Sequence, residues 1–285
     1  MEVVVMEKIS KNVLSQVITP RDPESYKGNY GKVLIIAGST QFGGAAVMCS
    51  SAAIHSGAGL VTVATTPEKF TAINVKIPEA MTIDYHDKKA LLTGIINNQV
   101  IAIGPGLGTS TIAKGLVKAV LNNTKTDQTV ILDASALTII ADEKIPLQTT
   151  ANIILTPHQG EWQRLSNLAI TEQIELNNKT NLHELNPDAL LVLKKHQSEI
   201  YYHDQVSKIT VGNPGMATGG MGDTLTGIIA GFVAQFGFSL KTVQASLFLH
   251  SEIGDKLNEK NYVILPSSII EKIPKYMAKF SSKEK

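Results

Sequence analysis

The sequence predicts a three-layer α/β/α sandwich, a mostly parallel central sheet with an antiparallel edge, and three observations carry that expectation. From Lys32 onward, short Val/Ile/Leu-rich runs alternate with longer segments of helical periodicity. The runs are nearly all apolar rather than alternating, as strands covered on both faces are. Near the carboxyl end the rhythm changes, and two runs at 199–203 and 208–211 flank Asp204 and Gln205 in the manner of a hairpin.

Taken in order, strands are expected at residues 32–37, 60–65, 81–85, 100–104, 129–134, 152–156 and 189–193. Residues 44–56 form the first helix. The strand at 100–104 passes through a glycine turn into a helix at 111–123, capped by Thr109 or Ser110. Helix-compatible sequence returns at 136–142. Pro157 stops the strand at 152–156, a helix begins near Gly160 or Glu161 and covers 161–165, and another covers 172–178. After the hairpin come two long helices, 222–235 and 240–259, and a last one at 267–279. No internal repeat, low-complexity tract or Pro/Gly/Ser linker divides the chain, so residues 1–285 are expected to form a single domain.

The chain is 43% hydrophobic and 18% charged, enough apolar material for one large α/β domain. A net charge of +1, with no block of like charges in the body of the chain, excludes an electrostatic footprint for nucleic acid or an anionic membrane. The lysine-rich tail 280–285 reads as a solvated end. Cys49 is the only cysteine, so no intrachain disulfide forms, and its apolar surroundings mark a core thiol in a reducing compartment. The start, with Glu2 and no long apolar stretch, is unlike a signal peptide, and no run of about eighteen apolar residues is present to span a membrane. A cytoplasmic protein is expected.

The strongest chemical signal is GNPGMATGGMGDTLTGIIAGF at 212–232, where glycines 212, 215, 219, 220 and 222 lead into an amphipathic helix. Such a loop lets backbone amides turn inward, and the helix start adds positive partial charge, so Gly219, Gly220 and Gly222 are placed to hold a phosphate. Asp223 in the first helical turn would repel that anion unless it handles a proton or a metal beside the transferred group. A plain helix cap is the alternative use of this aspartate.

ILTPHQGEWQRL at 154–165 places His158 and Glu161 outside the carboxyl end of a strand, where open parallel sheets bind ligands. Glu161 is a candidate for holding Mg2+ through water; a first-turn helix acid is the alternative. The glycine turn in IAIGPGLGTS at 101–110 also admits a ligand. AGSTQFGGA at 37–45 does not keep the G-x-G-x-x-G spacing, which argues against an ordinary Rossmann dehydrogenase. His250 reads as a packed, hydrogen-bonded core histidine, His55 as structural and Trp162 as a packing anchor. No His/Cys/Asp/Glu spacing suggests a tightly held transition metal.

Together with KGNYGKVLIIAGS at 27–39, GGAAVMCSSAAIHSGAGLVTVAT at 43–65, GPGLG at 104–108 and LDASAL at 132–137, these segments resemble the ADP- or ATP-dependent NAD(P)H-hydrate dehydratases of the ribokinase-like superfamily. The resemblance runs along nearly the whole chain. It implies a nucleotide-driven dehydration of the S-form of hydrated NADH or NADPH, with ADP the usual donor in bacterial-type members. It also implies Asp223 as catalytic base, and Ala45, Gly108 and His158 as contacts to the hydrated cofactor. Lys194, Lys195, His196, Gln197, Ser198 and Gly222 fall where the family binds the adenine nucleotide. A homo-oligomer, a tetramer in relatives, and a separate epimerase are implied as well, because too few residues precede Lys27 for an epimerase domain. Two positions depart from the pattern: Tyr26-Lys27-Gly28 replaces His-Lys-Gly, and Lys194-Lys195 replaces Lys-Gly. A kinase of a small thiazole or pyrimidine alcohol, and a nucleotide-binding regulator without turnover, are the competing readings.

Overall fold

The computed structural model describes residues 6–281; the first five residues and the end of the lysine-rich tail lie outside the described residues. The elements in chain order are β1 (Glu7–Ile9), α1 (Asn12–Val17), β2 (Lys32–Ile36), α2 (Gly43–His55), β3 (Leu60–Thr65), α3 (Phe70–Lys76), β4 (Met81–Asp84), α4 (Lys88–Asn97), β5 (Val100–Ile103) and α5 (Thr111–Asn123). They continue as β6 (Thr129–Leu132), α6 (Ser135–Asp142), β7 (Asn152–Leu155), α7 (Gln159–Ser166), α8 (Glu175–Leu185), β8 (Leu190–Leu193), β9 (Glu199–Tyr202), β10 (Gln205–Ile209), α9 (Met221–Phe236), α10 (Leu240–Asn258) and α11 (Pro266–Ser281).

The strands make one ten-stranded sheet in the order β1-β10-β9-β8-β7-β6-β5-β2-β3-β4. Among the described residues only β9 runs against the rest, pairing antiparallel with β8 and β10, while β1 adds parallel to β10 outside the hairpin. The apolar runs are buried on both faces because the pleat sends alternate residues into two cores. Val33 and Ile35 of β2 join one core with α1, α2, α3, α9, α10 and α11. Leu34 and Ile36 join the other, under α4 to α8.

Glycine sets the closest helix contact. A Cβ at Gly227 of α9 would lie 2.1 Å from the carbonyl oxygen of Cys49 in α2, and one at Gly231 would lie 2.7 Å from that of Ala53. Glycines four apart therefore give α9 a flat stripe on which α2 rests, with Cys49 fully buried between them.

Several expectations need correction. The hairpin turns at His203-Asp204, with His203 at φ 49°, so β10 starts at Gln205 and residues 210–211 have already left the sheet. The helix expected at 172–178 begins later, at Glu175, because a short 3-10 turn at Ile170–Glu172 comes first, with the Glu172 carboxylate accepting from the Ala169 amide. β1, α1, α3 and α4 were not anticipated. α4 holds an interior glycine, which lowers helix propensity, yet Gly94 is placed where a Cβ would press on Leu34 and Ile83.

Candidate active site

The loops that matter sit at the carboxyl ends of the parallel strands. From β2 the sheet grows through β3 and β4 on one side and through β5 to β8 on the other, so the β2/β5 boundary is a topological switch point, where open sheets leave a crevice. The loops there touch closely. Gly38 N–H donates to the Pro105 carbonyl at 2.8 Å, and Gly106, at φ 65°, would put a Cβ 2.8 Å from that of Ala45. A Cβ on Gly104 would lie 1.8 Å from the Asp133 carbonyl oxygen, so the β5 and β6 loops are in backbone contact. Gly108, at φ 70°, has open space where a side chain would be, and its amide donates to Ser135 Oγ at 3.0 Å.

Beside the crevice lies a buried charged cluster. Asp133, at the end of β6, is 1% exposed; its Oδ1 accepts from Lys194 Nζ at 2.8 Å and its Oδ2 from Thr226 Oγ1 at 2.7 Å. The next residue, Ala134, has φ 47°, a conformation that alanine rarely adopts. Lys194 ends β8, held by its amide to the Pro157 carbonyl at 2.8 Å, and its ammonium lies 3.2 Å from where a Cβ on Gly222 would be. Burial works against the Lys194 charge, but Asp133, Glu161 and Asp223 outweigh it and hold the lysine protonated.

Asp223 occupies the first turn of α9, whose N-cap is Gly220 at φ 91° with no side-chain capping bond. The capping alternative therefore fails. Burial, and next the negative charge of Asp133, push the Asp223 carboxyl up to about 6, with Lys194 opposing. Gly219 has open space where a side chain would be and an ordinary φ, so no packing demand explains glycine there.

On the far side of Lys194 is a cleft of about 660 Å³. Lys194, Lys195, His196, Gln197 and Ser198 form one wall, the 209–217 segment another, and Met221, Gly222 and Leu225 of α9 with Leu247, His250 and Ser251 of α10 the floor. The 195–198 turn is tight: Ser198 Oγ donates to the Lys195 carbonyl at 3.1 Å, and Gln197 takes φ 57°. The departing Lys195 pairs with Glu199 at 2.6 Å. His158 lines the cleft too; Ala45 and Gly108 lie on the switch-point side, and Gly219 and Gly220 on the approach to α9 rather than on the cleft wall.

Glu161 and His158 form a reciprocal helix cap. His158 Nδ1 accepts from the amides of Gly160 and Glu161 at 3.0 and 3.2 Å, and Glu161 Oε2 accepts from His158 N–H at 2.9 Å. Glu161 thus has the first-turn role weighed from the sequence, with Oε1 3.6 Å from His158 Nε2. Among the described residues no three His, Cys, Asp or Glu side chains are grouped to hold a metal.

Sequence reasoning passed over Asp133 and Thr226. The available signal was an acidic residue ending an all-apolar strand, in the LDASAL segment. His250 is packed at 5% exposure as expected, but its Nε2 has no hydrogen-bond partner, and burial followed by Lys194 lowers its pKa to about 4, so the ring is neutral.

A three-layer fold with a glycine-bracketed helix start between a switch-point crevice and a second cleft defines an enzyme of the ribokinase-like superfamily. A crystal structure of a ribokinase-like superfamily protein from Enterococcus faecalis superposes with a TM-score of 0.94 at 41% identity, covering 98% of this chain and 97% of that one. More narrowly, the chain belongs to the NAD(P)H-hydrate dehydratase family, whose model matches residues 33–275. It is 46% identical to the ADP-dependent (S)-NAD(P)H-hydrate dehydratase of Lactiplantibacillus plantarum over 98% of this chain and 100% of that protein. The ADP/ATP-dependent NAD(P)H-hydrate dehydratase of Bacillus subtilis, co-crystallised with ATP and Mg2+, superposes with a TM-score of 0.86 at 28% identity, covering 98% of this chain and all of that one.

Proposed function

We propose that this chain catalyses the ADP-dependent dehydration of the S-form of hydrated NADH and NADPH, yielding the reduced cofactor, AMP and phosphate. The observation that carries the reading is the Asp223 carboxyl, half-buried and free of any capping duty, in the first turn of α9 beside Lys194. The hydroxyl of the hydrated ring attacks the terminal phosphorus of ADP as Asp223 accepts its proton, and AMP departs. Phosphate is a far better leaving group than hydroxide; its loss from the ring, with a proton from the adjacent carbon, restores the double bond.

Each site residue has a task in this scheme. Ala45, Gly108 and His158 contact the hydrated cofactor, and Lys194 to Ser198 with Gly222 hold the nucleotide. Amides at Gly219, Gly220 and Gly222, with the Lys194 ammonium, stabilise charge on the transferred phosphoryl group. The sparse carboxylate set fits Mg2+, which is usually held by one or two carboxylates, water and the phosphates themselves. Glu161 would hold it through water, and when bound the ion neutralises phosphate charge. ATP serves as an alternative donor. The working form in this reading is a cytoplasmic homo-oligomer, a tetramer, with the R-form converted by a separate epimerase; no described helix is long and apolar enough to cross a membrane.

The test incubates purified protein with S-hydrated NADPH, Mg2+ and ADP and follows the return of reduced-nicotinamide absorbance with release of phosphate. Asp223→Asn should reduce turnover by about a thousandfold or more while nucleotide affinity changes little. A stable phosphorylated alcohol as product would mark a small-alcohol kinase, and nucleotide binding with no turnover a regulator.

A further inference from the structure

The 212–218 segment forms a wall of the cleft and then leads into the Gly219–Gly222 turn and Asp223, so its position sets both. Seven residues cannot hold such a course alone, since Gly212 sits at φ 111° and the segment has only a single 3-10 turn, Pro214–Met216. Its support comes from α10. One carboxylate, Asp255, accepts from the backbone amide of Gly212 through Oδ2 at 2.9 Å and from Asn213 Nδ2 through Oδ1 at 2.8 Å. One turn of contact further, Met216 lies over Gly254, where a Cβ would be 2.3 Å from its sulfur. Beyond α10, the Ile264 amide donates to the Gly215 carbonyl at 2.9 Å and the Ile264 carbonyl accepts from Thr218 Oγ1 at 3.0 Å.

We infer that Asp255 is a positioning residue for the nucleotide, a two-pronged anchor that fixes the 212–216 wall of the cleft from behind without touching the reacting atoms. Four features of the geometry support it. The two bonds go to consecutive residues of the loop, one main chain and one side chain, so they restrain its translation and the rotation of the Asn213 amide together. Both are charge-assisted, the stronger kind of hydrogen bond. The anchor also stands on the same helix as His250 and Ser251, which floor the cleft, so one rigid element sets the spacing between floor and wall. Asn213, held with Nδ2 toward Asp255, leaves its Oδ1 without a hydrogen-bond partner, so the carboxylate is what chooses the amide orientation.

The inference rests on the proposed nucleotide-dependent activity, and the experiment separates the two. The wild-type protein, Asp255→Ala and Asp255→Asn are compared in the hydrated-NADPH assay with ADP varied, alongside calorimetric titration with ADP alone. Loss of both bonds in Asp255→Ala should raise the KM and Kd for ADP by about tenfold or more, with kcat at saturating ADP within about threefold of wild type. Asn can still accept one bond, so Asp255→Asn should fall between. The KM for the hydrated cofactor should not move in either variant. If Asp255→Ala does not fold, Asp255→Asn decides by the same split. An unchanged KM for ADP in a folded variant, or a fall in kcat with KM unmoved, overturns the anchor. Failure of the wild-type protein to bind ADP would instead overturn the functional reading beneath it.

Discussion

Asp223 has an ordinary carboxylate value of 3.8 when exposed and about 6 in the fold, so its ionisation opposes folding. For a carboxyl raised in this way, the favourable neutral form is fully present below the unfolded value and is lost as pH rises through the folded one. Asp223→Asn should therefore unfold like wild type near pH 4 and be more stable by roughly 2 kcal/mol above about pH 7, which denaturant titrations at the two pH values would show. A helix cap would give the opposite sign at neutral pH. The same titration should appear in kcat/KM as an acid limb centred near 6, ionised base above it. Asp133 supplies part of that elevation, so Asp133→Asn should move the limb to lower pH. It should also cost about 3 kcal/mol of stability, because Lys194 then stays buried without its counter-charge.

Elements place these side chains through contacts that tolerate little change. α2 carries Ala45 and α9 carries Asp223, and their separation is set where Gly227 meets the Cys49 carbonyl. Gly227→Ala puts a methyl 2.1 Å from a backbone oxygen that cannot swing aside. It should destabilise the fold by about 3 kcal/mol and depress turnover, as α9 is pushed off α2. Gly115 in α5 is the contrast, exposed and with nothing within 4 Å of a built Cβ, so Gly115→Ala should add about 0.5–1 kcal/mol and leave activity intact. Thermal melts of the pair check both signs. The two glycines look alike in sequence, each interior to a helix, and here legibility ends. Buried strands such as 100–103 and 190–193 are readable because their apolar runs need no knowledge of neighbours. The glycine-led start of α9, with Asp223 in its first turn, is readable because a cluster of glycines before an apolar helix is a local signal. The Lys194–Asp133 pair spans 61 residues, and the switch point depends on strand order, so neither leaves a local trace.

At the scale of the molecule, the cleft joins loops at the strand ends of the sheet to two helices packed on one of its faces. The 194–198 turn links strands β8 and β9, while α9 and α10 belong to the core on a single face, and the 209–217 segment bridges from β10 to α9. A nucleotide held there contacts the native arrangement only, since these segments lie far apart in an unfolded chain. Binding must then raise the free energy of unfolding by RT ln(1 + [ADP]/Kd), about 2.7 kcal/mol at a hundredfold excess over Kd. For a chain of this size that corresponds to a rise in Tm of about 5 °C. Asp223→Asn should keep the rise, because the carboxylate is not needed to hold ADP and its charge faces the phosphates unfavourably. Asp255→Ala should lose about half of it at the same ADP concentration, since a tenfold weaker Kd removes roughly 1.4 kcal/mol of the linkage term. Differential scanning fluorimetry across an ADP series reads all three proteins at once, and equal shifts for wild type and Asp255→Ala would show that the loop holds the nucleotide without its anchor.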